Sequence, residues 1–133
     1  MLNPFPDLLV YGILAPLVIR LAVGAALLYL SVEHFRNRKD IAALLSPMVG
    51  RFSRGAGFYF AVVEAFAGAL LVAGAWTQIA ALVAIVLAVK SLLLRSRLSP
   101  LAPFSRSTYL LIIAMSASLL LSGAGALAFD LPL

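Results

Sequence analysis

Four apolar runs leave this chain few ways to fold. They cover about residues 8–32, 56–73, 77–94 and 108–128, and an uncharged or nearly uncharged stretch of about 18 residues or more can cross a hydrocarbon core roughly 30 Å thick. The expected fold class is all-α: an integral membrane four-helix bundle, with four transmembrane helices in one membrane domain over residues 1–133. Composition agrees, because 64% of the residues are hydrophobic and only 11% are charged. Soluble domains carry roughly 25% charged residues, so this chain lacks the charge to face water over a whole surface. The first run is not read as a cleavable signal peptide, since its start has no basic region, carries Asp7, and is too long.

The charges that do exist are unevenly placed. Arg36, Arg38, Lys39, Arg51 and Arg54 fall between runs one and two, and Arg95, Arg97 and Arg106 fall between runs three and four. The N-terminal tail, the turn after run two and the C-terminal tail have no Lys or Arg. Basic residues collect in cytoplasmic loops. Both long loops are therefore expected in the cytoplasm and both termini outside, in a multi-pass protein of the cell inner membrane. The net charge of +5 is read as this orientation signal and not as a nucleic-acid site. Arg36, Arg38, Lys39, Arg51 and Arg54 are also candidates to hold anionic lipid head groups, at about 1 kcal/mol per basic residue.

The connections carry their own signals. Asp40 is read as the N-cap of a short amphipathic helix over residues 41–45 in the first loop, stopped before Pro47. Runs two and three are joined by Gly74-Ala75-Trp76-Thr77, which reads as a tight antiparallel hairpin. Gly74 closes one helix, Thr77 caps the next, and Trp76 anchors at the interface.

Three charges lie inside the apolar runs, Arg20, Glu64 and Lys90, and a lone charge there costs about 2.5–3.5 kcal/mol on insertion scales. Arg20 sits about 18 Å before the loop end of run one and Glu64 about 12 Å after the loop start of run two, at 1.5 Å per residue. An arginine side chain can bridge that difference. Small residues flank both: Pro16 and Gly24 near Arg20, and Gly57, Ala61, Ala67 and Gly68 near Glu64. Such faces let helices approach closely in lipid, so both charges are expected to point inward and to pair. Two readings of the pair stand. One is a neutralised ion pair locking runs one and two; the other is a buried polar pocket for a head group, a quinone or a proton.

Other residues receive plainer readings. Lys90, with Val83, Val86 and Leu87 around it, is expected to snorkel toward the nearby loop end, with pocket lining as the alternative. Tyr29, Tyr59 and Phe60 either line or fill the inner mouth of the bundle, and Gly68 is a candidate for the same lining. His34 reads as a loop histidine, because the chain has a single histidine and one makes a poor metal site. The series Ala80-Ala84-Ala88 and Ala114-Ser118-Ser122 read as packing stripes. With no cysteine, a dithiol relay, an iron–sulfur cluster and a disulfide are excluded within this chain.

The order of these features carries a resemblance. An intramembrane Arg20 precedes a glutamate-led, Gly-rich run from Glu64 through Gly68 and Gly74 to Thr77, Ala80 and Ala81, and the chain closes on Gly123-Ala124-Gly125 with Asp130 five residues after Gly125. This resembles the DoxX family of small bacterial and archaeal four-helix membrane proteins, over essentially the whole chain. Ala124 stands where the family's terminal motif usually has proline, and the basic first loop is longer than in many members. The resemblance implies a component of membrane oxidoreductase assemblies that are linked to quinones or to oxidative stress. In that reading Arg20 and Glu64 are the polar pair, with Glu64 a proton acceptor beside a quinone.

Three functions follow. The first is an accessory or anchor subunit of a quinone-linked oxidoreductase, not catalytic on its own, with no cofactor in the chain and its redox chemistry borrowed from other membrane subunits. The second is a structural or assembly protein that binds membrane helices or lipid. The third is a proton-coupled exporter, disfavoured because Arg20 would compete with a cationic substrate for Glu64.

Overall fold

A computed structural model describes residues 12, 14–50, 53–96, 101–123, 125 and 128. The described residues form five helices: α1 (Ala15–Arg36), α2 (Arg38–Val49), α3 (Ser53–Ala73), α4 (Thr77–Leu94) and α5 (Arg106–Ser122). Three of them are long and apolar enough to cross a membrane: Ala15–Arg36, Gly55–Ala73 and Thr77–Leu94. Helix α5 is apolar but has 17 residues, about 26 Å at 1.5 Å per residue. It is shorter than the expected fourth run because Gly123, at φ +76°, takes over after Ser122 and donates its N–H to Leu119 O at 2.9 Å.

Helices α1, α3, α4 and α5 form a ring in which α1 packs on α3, α3 on α4, α4 on α5 and α5 back on α1. Helix α2 lies outside the ring against α3. The centre is filled by Val23, Leu27 and Leu30 of α1, Leu71 of α3, alanines 80, 81, 84 and 88 of α4, and Ile112 and Leu119 of α5. The α4 alanines pack inward as their spacing predicts. The α5 stripe Ala114-Ser118-Ser122 faces outward instead, and the buried side of α5 is Tyr109, Ile112, Ser116 and Leu119. Large apolar side chains cover the outside, among them Val18, Phe66, Ile79, Val86 and Leu121. Apolar cover on both faces is the pattern of helices set in lipid.

Close helix approach occurs where α1 crosses α3. A Cβ added to Gly24 would sit 3.1 Å from Gly68 O, and one added to Gly68 would sit 3.0 Å from Gly24 O. Further along, Ser31 Oγ donates to Ala61 O at 2.7 Å. These two contacts set an antiparallel register in which residue 24 faces 68 and residue 31 faces 61.

Two connections differ from expectation. Helix α2 starts after Asn37, so Asp40 lies within its first turn and is not its N-cap, and the helix continues through Pro47 to Val49. Proline removes the N–H that would bond Ala43 O. Ser46 Oγ donates to that same carbonyl at 2.8 Å, which lets the helix tolerate the proline. At the α3–α4 turn, Ala75 N–H donates to Leu70 O at 3.1 Å and Gly74 N–H to Leu71 O at 3.2 Å. With Gly74 at φ +72°, this is the two-bond glycine stop of a helix C-terminus. Trp76, exposed and at φ +50°, holds the N-cap position, and Thr77 is the first helical residue. Helix α5 starts as local chemistry dictates, with Ser105 Oγ accepting from Thr108 N–H at 3.2 Å.

Candidate functional site: a buried carboxylate at the loop end

The register decides which charges meet. Residue 20 faces residue 72, about eight residues or 12 Å along α3 from Glu64. Side chains on a helix also lean toward its N-terminus. On antiparallel neighbours, that lean carries Arg20 away from Glu64, toward the α3–α4 turn. The structure places the Arg20 guanidinium against that turn, where a Cβ on Gly74 would fall 2.7 Å from Arg20 Cζ. Arg20 is 1% exposed and Glu64 0%, so both point inward as expected, but the structure does not bring them together.

The same lean brings His34 and Glu64 toward each other. Helix α1 continues past Val32 to Arg36, so His34 is not in a loop but in the last turn, on the face that carries Arg20, Gly24, Leu27 and Ser31. Its Nδ1 lies 2.6 Å from Glu64 Oε2. On the other side, Lys90 Nζ donates to Glu64 Oε1 at 3.3 Å. Lys90 does not snorkel. Its ammonium turns inward and sits 3.6 Å from the centroid of the Phe60 ring, a cation–π contact that holds it beside the carboxylate.

Three helices thus supply one carboxylate and two nitrogen bases in one cluster. Each group tolerates burial because of the others: a buried charge is costly unless paired and hydrogen-bonded. The short His34–Glu64 bond can carry its proton on either atom, as ring N–H donating to a carboxylate or carboxyl O–H donating to the ring. The arrangement therefore suits proton uptake and release.

A cavity of about 20 Å³ adjoins the cluster, lined by His34, Lys90, Ser91, Phe60 and Tyr109, and by Ile41, Leu94, Leu101 and Ala102 toward the loops. Ser91 Oγ is buried and has no hydrogen-bond partner among the described residues. Tyr109 is 1% exposed, and Phe104 packs against it edge-on with ring centroids 5.8 Å apart.

The other candidates are dispersed. Phe60 lines the cavity. Tyr29 is half-exposed and packs on Phe104 at 5.5 Å, and Tyr59 points outward at 69% exposure; neither lines this cavity. Gly68 serves the crossing with Gly24. Arg36, Arg38 and Lys39 are exposed at the loop end, where Arg38 Cζ covers the Phe35 ring at 4.5 Å and Arg36 Nη1 lies 3.8 Å from Glu33 Oε1. Arg51, the side chain of Arg54, and Asp130 lie outside the described residues. Among the described residues no three His, Cys, Asp or Glu side chains group as a metal site.

Sequence reasoning alone does not single out His34, Ser91 and Tyr109 as members of one site. A signal for His34 exists: the spacing 20-24-27-31-34 keeps it on the buried face of α1. A family model described as DoxX matches residues 15–95, from the start of α1 to the end of α4. No curated protein and no solved structure matches the chain.

Proposed function

The chain belongs to the DoxX family, and on that premise we propose that it is a membrane-embedded accessory subunit of a quinone-linked oxidoreductase. In this reading four spans cross the inner membrane, α5 being the fourth, with the basic loops in the cytoplasm. The observation that supports it is the fully buried Glu64 held by His34 and Lys90. Such a cluster can hold a proton on either partner of the His34–Glu64 bond, and quinone chemistry needs protons delivered within the membrane. The chain has no cysteine to carry electrons as a dithiol or an iron–sulfur cluster, so electrons come from a partner subunit.

The donor set of Lys90 and Ser91 suits a carbonyl or hydroxyl, but the cavity is small for a ring. Its volume of about 20 Å³ suits a water molecule. The quinone of the assembly is therefore assigned to the partner or to the boundary with it, and this chain contributes the proton site. An exporter of cations is disfavoured, because Lys90 already occupies Glu64 where such a substrate would bind. The assembly reading loses one support too, since Gly24 and Gly68 are spent on contacts inside the chain.

The test is purification in mild detergent, with partners identified by mass spectrometry. A co-purifying subunit that carries a redox group is expected. Glu64→Gln should lower quinone reduction by the intact assembly about tenfold or more, approaching the range typical of a lost proton-transfer group. Recovery of the chain alone, with membrane quinone reduction unchanged on its deletion, would defeat the proposal and favour a structural role.

A further inference from the structure

We propose that the cavity beside Glu64 is a hydrated proton port, through which the buried carboxylate exchanges protons with the aqueous phase at the end bearing both long loops. The port concerns the same site as the redox-subunit reading, but it rests on the chemistry of this chain alone.

Three observations carry it. The walls run from Glu64's partners His34 and Lys90 to Leu94, Leu101 and Ala102, so the cavity joins the cluster to residues of the last basic loop. Its volume of about 20 Å³ exceeds the 10–15 Å³ or so that a single water needs. Ser91 Oγ, itself buried, has no protein partner among the described residues, and a buried hydroxyl of that kind is satisfied by ordered water. A water there has the polar neighbours that buried waters use: the Ser91 hydroxyl, the Lys90 ammonium and the His34 ring.

The step is a relay through the imidazole. With Nδ1–H donating to the carboxylate, the neutral ring offers Nε2 as an acceptor. A proton arriving at Nε2 from water allows Nδ1–H to pass its proton to Glu64 Oε2 across the 2.6 Å bond. The ring ends neutral in its other tautomer and the carboxyl ends protonated; the reverse sequence releases the proton. The groups facing Glu64 are His34 from α1 and Lys90 from α4. Tyr109 of α5 lies at the cavity wall, with Arg95 near it at the end of α4, and α2 contributes only the uncharged Ile41.

The experiment is pH-jump infrared spectroscopy on the purified full chain in lipid nanodiscs, with the Glu64 band identified by its loss in Glu64→Gln. The wild-type band is expected to respond within the mixing time and to exchange with deuterium. Ser91→Leu, which fills the cavity, should slow the response at least tenfold. Ala102→Phe narrows the mouth without touching a polar group, and it should slow the response similarly if Ser91→Leu fails to fold. Ser122→Ala, a hydroxyl deletion at the opposite end, should leave the rate unchanged. An unaltered rate in the cavity variants, or a wild-type band that neither responds nor exchanges, overturns the port. Because no partner is present, a rapid response here alongside no recovered redox subunit would retain the port and discard the redox reading.

Discussion

Removing the Lys90 ammonium tests the cluster energetically. Lys90→Met leaves the Glu64 carboxylate, 0% exposed, with His34 as its remaining partner, whereas Glu64→Gln leaves an ammonium whose side chain is 20% exposed. Breaking a fully buried ion pair costs about 3–5 kcal/mol. His34 still supports the carboxylate in the first variant, and partial solvent access relieves the ammonium in the second. The expected costs are thus about 3 and about 2 kcal/mol, at or below the low end of that range. The double variant removes both charges, and apolar or neutral replacement of a buried pair is often close to neutral. We expect about 2 kcal/mol for it, because the amide introduced at position 64 remains mismatched against His34. The coupling is then about 3 kcal/mol, at the upper end for residues in contact. The same cycle between Arg20→Gln and Glu64→Gln should be additive within about 0.5 kcal/mol, as for separated sites. Reversible unfolding in mixed phospholipid–detergent micelles, followed by circular dichroism, measures all of these. Near-zero coupling for Lys90 would refute its place in the cluster, and coupling above about 1 kcal/mol for Arg20 would refute the register argument.

Gly68→Leu should destabilise by about 2–3 kcal/mol, an overpacking cost, since its Cβ would meet Gly24 O at 3.0 Å; the same unfolding assay reads it. Gly74→Ala should cost about 3 kcal/mol in the wild type, from the positive φ and from the Arg20 guanidinium in its way. In an Arg20→Met background the guanidinium clash is gone while the positive φ and the Ala128 Cα, 2.9 Å from the added Cβ, remain, so the cost should fall; an equal cost in both backgrounds would contradict the placement of Arg20. The absence of native cysteine makes labelling clean. With the proposed orientation, Trp76→Cys should react with an impermeant maleimide in intact cells and Ser96→Cys only after permeabilisation.

The helices are legible because each membrane run shows in composition alone, and the family resemblance rests largely on residues the family model also covers. The partners of Glu64 are not. Depths along α1 and α3 differ by only about 6 Å, within reach of an arginine, and depth alone ignores side-chain direction. Once the Gly24–Gly68 crossing fixes the register, the lean of each side chain toward its own N-terminus sends Arg20 to Gly74 and His34 to Glu64. Ending the first run at Val32 hides His34, although the helix continues one turn further. In sequence, Lys90 has bulky lipid-facing neighbours. The buried face of α4, alanines 80, 84 and 88 with Leu87 and Ser91, passes directly beside it, and the Phe60 ring and Glu64 draw it in. Ser91 and Tyr109 give no signal as isolated polar residues, because their role depends on a cavity shaped by five helices and a loop.

The single histidine gives the most direct test of the central claim, that Glu64 is held by His34. With ¹⁵N-histidine and ¹³C-carboxyl-glutamate labels in the membrane-reconstituted chain, solid-state NMR can measure the dipolar coupling between Nδ1 and the carboxyl carbon. A 2.6 Å contact to Oε2 puts that carbon about 3.5 Å from the nitrogen, given ordinary hydrogen-bond geometry. We predict a coupling of that size that vanishes in Glu64→Gln. No measurable coupling in the wild type, or one that survives the substitution, would contradict the account.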